Sequence, residues 1–315
     1  MSNFNPLCRP DRKRHNRYEF RHAKYAYLLL LPAFLLLTTF VIIPLVMAVV
    51  RSFQDYATGE FVGFYNYEYV LGLKDLFSAG VVSDFLKSFG NVLLFTLIIT
   101  VITVITTFFF ALVLKIMNNR LGSVAKVVIY IPFFISGIIA SVIFTMLTNY
   151  GGGLVNSILI SLGKDTVAFE NEGILPYLSV IIPTGGIGVG DNTLVMYAGI
   201  INIPKEYYEA ASIDGANGMQ KLWHITLPNM KNYFVLIIIN LVTANMQMME
   251  IPYMMTGGGP LNATLTPVLY LFNSFRDPNR PQNVSIAGAI IIMIFIAVVN
   301  VFVFKVVKSE KSQDS

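Results

Sequence analysis

One cysteine, Cys8, is all the thiol this 315-residue chain carries. That excludes an intrachain disulfide framework and any cysteine-built metal site. Charge is scarce as well. Asp, Glu, Lys and Arg make up 13% of the residues, about half the share of an ordinary soluble domain. So few charges cannot cover the surface of a water-soluble globule, and a 55% hydrophobic content excludes an extended disordered chain. No Gly-x4-Gly-Lys-Ser/Thr phosphate loop is present, so ATP hydrolysis is not expected of this chain. No nucleophile–base pair or metal cluster points to covalent chemistry, and His224 has no second ligand near it. What is present is long apolar sequence, with a mean hydropathy of +0.65. The chain reads as an all-α integral membrane protein, with no catalytic residue, no metal site and no cofactor of its own.

A bilayer core of about 30 Å takes roughly 20 apolar helical residues to cross. Six transmembrane helices are expected, at about 25–50, 89–114, 127–148, 174–203, 233–256 and 284–304. The first is too long for a cleavable signal peptide and lacks a small-residue cleavage site. The fourth holds Pro176, Pro183, Gly185, Gly186, Gly188 and Gly190, which predicts a broken or kinked span. Such breaks persist at membrane depth only where protein or a water-filled cavity satisfies the freed backbone groups. The chain thus divides into a basic N-terminal segment (1–24), a six-helix domain (25–307) and a tail (308–315). Sixteen of the 22 basic residues fall in the N-terminal segment, the second and fourth loops and the tail. The remaining loops hold six, against nine acids. The positive-inside rule therefore puts both termini in the cytoplasm. The cluster from Arg9 to Lys24, lying next to a span, reads as a lipid-headgroup contact and not as a nucleic-acid site.

Two acids lie inside the expected spans, Asp191 and Glu250. An acid at the centre of a membrane helix costs at least ~2.5–3.5 kcal/mol, so it faces a cavity or a partner. Asp191 is followed by Asn192 within the broken fourth span. In the fifth, Asn240, Thr243, Gln247 and Glu250 fall within about 80° of one another on a helical wheel. This stripe reads either as interhelical hydrogen bonding or as the wall of a polar substrate path.

The fourth loop, from Ile203 to Lys231, is too long for a turn. Pro204 suits a helix start, which predicts a helix over 205–213. Asp214-Gly215 supplies a turn, and 219–227 resumes as helix before Pro228. Two short helices should therefore lie near the membrane surface, with Ala210, Ala211, Gly215 and Ala216 at their junction, small enough for another protein to approach.

Glu209-Ala210-Ala211, Asp214-Gly215-Ala216 and Ile225-Thr226-Leu227-Pro228 together resemble the EAA loop of binding-protein-dependent ABC importer permeases. Thr256-Gly257-Gly258-Gly259-Pro260 with Asn262-Ala263-Thr264, and Gly63-Phe64-Tyr65-Asn66-Tyr67, are similar to stretches of the carbohydrate permeases of the maltose and multiple-sugar type. Pro32, Pro44 and Asn91 also match family positions, so the likeness runs from about Tyr25 onward. The chain departs from the family in having no aromatic residue from Pro183 to Gly190; its one tryptophan, Trp223, is in the fourth loop.

The resemblance implies that the fourth loop is a coupling helix docking on a cytoplasmic ATPase subunit through Glu209, Ala210, Ala211, Asp214, Gly215, Ala216, Leu227 and Pro228. It implies an external loop at Gly257, Gly258, Gly259 and Pro260. It also implies sugar contacts at positions matching Asn245 and Gln247, whereas the wheel puts Asn245 about 160° from Gln247. The implied partners are a second related permease subunit, two ATPase subunits that bind ATP and Mg, an extracytoplasmic sugar-binding protein, and membrane lipid. The implied setting is a bacterial or archaeal cytoplasmic membrane, and the implied activity is import of a sugar by alternating access. Transport of glycerol phosphate by a related permease, or ion-coupled secondary transport using Asp191 and Glu250, are the alternatives.

Overall fold

In hydrocarbon, backbone N–H and C=O groups must pair within their own segment, and the apolar runs of this chain do so as helices. The computed structural model describes residues 25, 27–73, 77, 82–171 and 173–307. The basic segment 1–24 and the tail 308–315 lie outside the described residues. Among those described, extended pairing is limited to an isolated bridge between Gln54 and Phe61.

The helices follow one another as α1 (Tyr27–Ser52), α2 (Tyr65–Leu71) and the long α3 (Asp84–Ile116). Next come α4 (Asn119–Tyr130), α5 (Gly137–Thr148), α6 (Leu154–Ser161), α7 (Leu175–Ile187) and α8 (Val189–Ile201). The fourth loop forms α9 (Lys205–Ile213) and α10 (Gly218–Asn229). The chain ends with α11 (Lys231–Met246), α12 (Glu250–Thr256), α13 (Pro267–Arg276) and α14 (Gln282–Val307).

Three of these, α1, α3 and α14, are long and apolar enough to cross a membrane unbroken. Two bent pairs are candidates for one further crossing each, as a broken span or a re-entrant loop: α4 with its terminal 3-10 turn meets α5 at 95°, and α10 meets α11 at 65°. The candidate spans therefore number three to five. The expectation of a continuous third helix is corrected. Ile135 is extended, and Ser136 restarts the helix by accepting a hydrogen bond from the Ile139 N–H at 3.3 Å. The fourth stretch is two 13-residue helices that meet at Gly188.

The expected continuous helix over 233–256 is corrected too. It stops at Met246 and restarts at Glu250, and the cause is Pro252. A proline has no N–H for the carbonyl four residues back, and its ring clashes with that carbonyl. Here that group is Met248 C=O. The chain turns at this point, and the Thr266 hydroxyl donates to the stranded carbonyl at 2.8 Å.

Three clusters of buried side chains hold the helices together by close packing. Phe95 and Ile99 of α3 meet Val180 of α7 and Ile251 and Met255 of α12. Ala111 of α3 meets Met196 and Ile200 of α8 and Ile237 of α11. Val70 of α2, Phe85 of α3 and Leu271 of α13 pack against Val284 and Ile292 of α14. Of α1, only Ser52 is buried; its second half runs along α14. The buried Asn66 ties the end of α1 to α2, donating to Ser52 O and Gln54 O at 2.9 Å each.

Candidate functional site

The breaks between α4 and α5, α7 and α8, and α11 and α12 converge. All three border one cavity of about 490 Å3. Irregular backbone at such a depth is tolerated where it faces a cavity. The polar wall consists of Asp191 and Asn192 from the first turn of α8, Asn240 and Asn245 from α11, Glu250 opening α12, Thr103 of α3 and Thr184 of α7. None of the described lining residues is basic.

The two carboxylates each sit in the first turn of a helix, where the unpaired N–H groups favour negative charge. Asn192 closes the break before it: its Nδ2 donates to Gly188 O at 2.7 Å and to Asp191 Oδ1 at 3.1 Å. Glu250 lies against the start of α5. A Cβ on Gly137 would fall 2.6 Å from Glu250 Oε2, so a bare backbone is what admits the carboxylate.

Asn245 does line the cavity, and its Nδ2 donates to Thr100 Oγ1 at 3.3 Å. Thr243 does not. Its hydroxyl donates to Ile239 O at 2.7 Å and lies 3.1 Å from the Asn300 side-chain amide of α14. Thr243 and Asn245 both lie on unbroken α11, whose cavity side runs through Asn240, Leu241, Ala244 and Asn245; the break after Met246 re-aims Gln247 and Glu250. Gln247 borders an adjoining cavity of about 400 Å3, which shares Gly137 and Glu250 with the first. Sequence reasoning missed Thr103 and Gly137. Thr103 is 1% exposed, and its hydroxyl has no hydrogen-bond partner among the described residues. A threonine in an apolar run gives little signal, although the repeat Thr96, Thr100, Thr103, Thr107 does place four hydroxyls at helical spacing.

A family model described as the inner membrane component of binding-protein-dependent transport systems matches residues 114–309. The chain belongs to that family. It is 30% identical to the trehalose/maltose transport system permease protein MalF of Thermococcus litoralis, over 90% of this chain and 93% of that protein. It is also 30% identical to the arabinooligosaccharides transport system permease protein AraP of Bacillus subtilis, over 91% and 90%. The fold is that of a bacterial ABC transporter involved in import of the acidic polysaccharide alginate: TM-score 0.73, 19% identity, 95% of this chain and 100% of that one.

As an inner membrane permease component, the chain is a transport subunit and not an ATPase. The remaining candidate residues of this permease lie in two places away from the cavity. Glu209, Ala210 and Ala211 are on α9, and Asp214, Gly215 and Ala216 form its turn into α10, with Gly215 at φ +78°. Asn217 opens α10 with a capping box to Gln220, and Leu227 and Pro228 stand in its last turn. Exposed Tyr207, Ile213, Met219 and Trp223 give this loop an apolar surface. The Gly257–Pro260 stretch ends α12 with Gly257 at φ +60° and Gly258 at φ +93°. Asn91 of α3 fixes the loop beyond it, donating to Asn262 O at 2.8 Å and Leu265 O at 2.9 Å.

Proposed function

We propose that this permease carries a neutral oligosaccharide inward by alternating access, with the cavity at the three helix breaks as its half of the pathway. The observation that carries the reading is the chemistry of that cavity: two carboxylates, three amides and two hydroxyls, with no cation. Amides and carboxylates suit sugar hydroxyls. Two carboxylates oppose an anion, at about 4 kcal/mol for a charge pair 4 Å apart near a protein surface. Exposed Asn240, Gln247 and Glu250 argue that this face meets a wet path and a second permease subunit and not lipid. The trehalose/maltose and arabinooligosaccharide relatives support a sugar. Membership of a binding-protein-dependent family sets aside ion-coupled transport.

Six crossings with both termini in the cytoplasm fit this reading, with α7 and α8 taken together as a broken fourth span. The apolar, exposed α9–α10 loop is then the contact for the cytoplasmic ATPases, which hold ATP and Mg. The Gly257–Pro260 loop faces the extracytoplasmic binding protein. Uptake of labelled neutral and anionic oligosaccharides by cells carrying the importer tests the proposal. Asp191→Ala and Gln247→Ala should each lower uptake of the neutral sugar at least fivefold with the complex still assembled. Uptake confined to anionic solutes would refute the charge argument.

A further inference from the structure

The coupling-loop helix α9 is bonded to α10 through Ser212, whose hydroxyl accepts from the Lys221 ammonium at 2.7 Å, and it reaches the helices beyond α10 through Tyr208, which makes three separate contacts. Tyr208 points inward from α9 and packs beside the cluster that joins Ala111 of α3, Ile200 of α8 and Ile237 of α11. The Lys115 ammonium, at the end of α3, stands 3.8 Å from the centroid of its ring. Its hydroxyl lies 3.0 Å from that of Thr226 on α10, and Thr226, 3% exposed, has Lys221 O within reach as acceptor. Ile237 in turn lines the polar cavity. A ring held on its face by a cation, at its rim by a hydroxyl and at its base by packed side chains links α9 to α3 and α10 through all three contacts at once.

We infer that the Lys115–Tyr208 stack is the positioning contact that carries displacement of α9 into α3, so that ATP-driven movement at the coupling loop reaches the cavity. The inference rests on the reading of α9–α10 as the ATPase contact. A second stack of the same chemistry, Lys126 over Tyr197 at 4.1 Å, joins α4 to α8 and does not involve the coupling loop. It serves as an internal control. Lys115 is also the basic residue in the last turn of α3, where any cation would favour the helix end. Transmission demands a cation over the Tyr208 ring, which arginine at position 115 also supplies.

The test uses the assembled importer, purified with its ATPase and second permease subunits. Cys8 is replaced by serine, and a reporter cysteine is placed at the exposed cavity residue Ala244. The rate of maleimide labelling is read with and without ATP and vanadate. In the parent, ATP–vanadate should change the rate severalfold. Lys115→Gln and Tyr208→Leu should cut that change at least threefold, with the ATPase subunits still co-purifying and basal ATP hydrolysis retained. Lys115→Arg should restore it, and Lys126→Gln should leave it intact. A full response in Lys115→Gln, an equal loss in Lys126→Gln, or loss of the ATPase subunits from Lys115→Gln would each overturn the inference. A parent that gives no response would instead overturn the coupling-loop reading, and the inference with it.

Discussion

Thr266→Val should weaken the permease by about 2–4 kcal/mol, because it removes two bonds from one side chain that is wholly buried. The hydroxyl donates to Met248 O at 2.8 Å, the carbonyl stranded by Pro252. Leaving a buried carbonyl unpaired costs about 1–3 kcal/mol. The same oxygen caps α13 by accepting from Leu269 N at 3.3 Å, and loss of such a cap costs about 1 kcal/mol. Thr266 is 0% exposed, so water does not replace either bond, and valine nearly matches threonine in shape, so no void is left. Thermal midpoints of the purified complex, read by fluorescence-detected gel filtration, should fall by several degrees, at roughly 2–4 °C per kcal/mol. Thr266→Ser keeps both bonds and should cost only about 1 kcal/mol, for its missing buried methyl group. Pro252→Ala supplies a new N–H within reach of Met248 O, so in that background Thr266→Val should cost less. Strict additivity of Pro252→Ala and Thr266→Val would refute the claim that proline strands the carbonyl and threonine rescues it.

Gly215→Val should disrupt the turn between α9 and α10, since φ +78° is barred to a β-branched residue; stimulated ATP hydrolysis by the importer should drop with binding-protein capture unchanged. In a Cys8→Ser background, Leu261→Cys should label with an impermeant thiol reagent in intact cells and Ile213→Cys should not; the reverse would invert the proposed topology. The Asp55 carboxyl, which accepts from the Thr58 and Ala57 N–H groups at 2.9 Å each, is held below its ordinary pKa by those bonds. Its support of the 55–60 turn is therefore present above the ordinary carboxylate range and is lost as pH falls through the lowered value. Proteolysis of that turn should rise in acid in the parent and be already high, and flat with pH, in Asp55→Ala.

Much of this architecture was legible in the amino-acid order because apolar runs and loop charge are strong, local signals. The helical pair around Asp214-Gly215 is one case, and the weakness of the fourth stretch is another: six prolines and glycines announced it, and the break falls at one of them, Gly188. The fifth stretch misled for a physical reason. Hydropathy does not register Pro252, since its effect falls on the carbonyl four residues earlier. Once the helix is broken there, the wheel that orders Asn240, Thr243 and Asn245 on α11 no longer extends to Gln247 and Glu250. Thr103 was beyond reach for another reason. Its place opposite α8 and α11 depends on helix packing, and nothing near it in the chain reports that.

The neighbour of α1 sets an order in time. None of the three buried clusters draws a residue from it, and the helix it runs beside, α14, follows every other described helix in the chain. Until α14 has been made, most of the length of α1 therefore waits in lipid, solvated by acyl chains. Any product that terminates before Gln282 leaves α1 without the helix it runs beside, tied to α2 at its end through Asn66, and deprives Val70 and Phe85 of the Val284 and Ile292 side chains that complete their cluster. Helices far apart in the chain, α1 and α14, close the fold together, so a product cut short before α14 differs visibly from one that contains it to whatever machinery surveys the membrane.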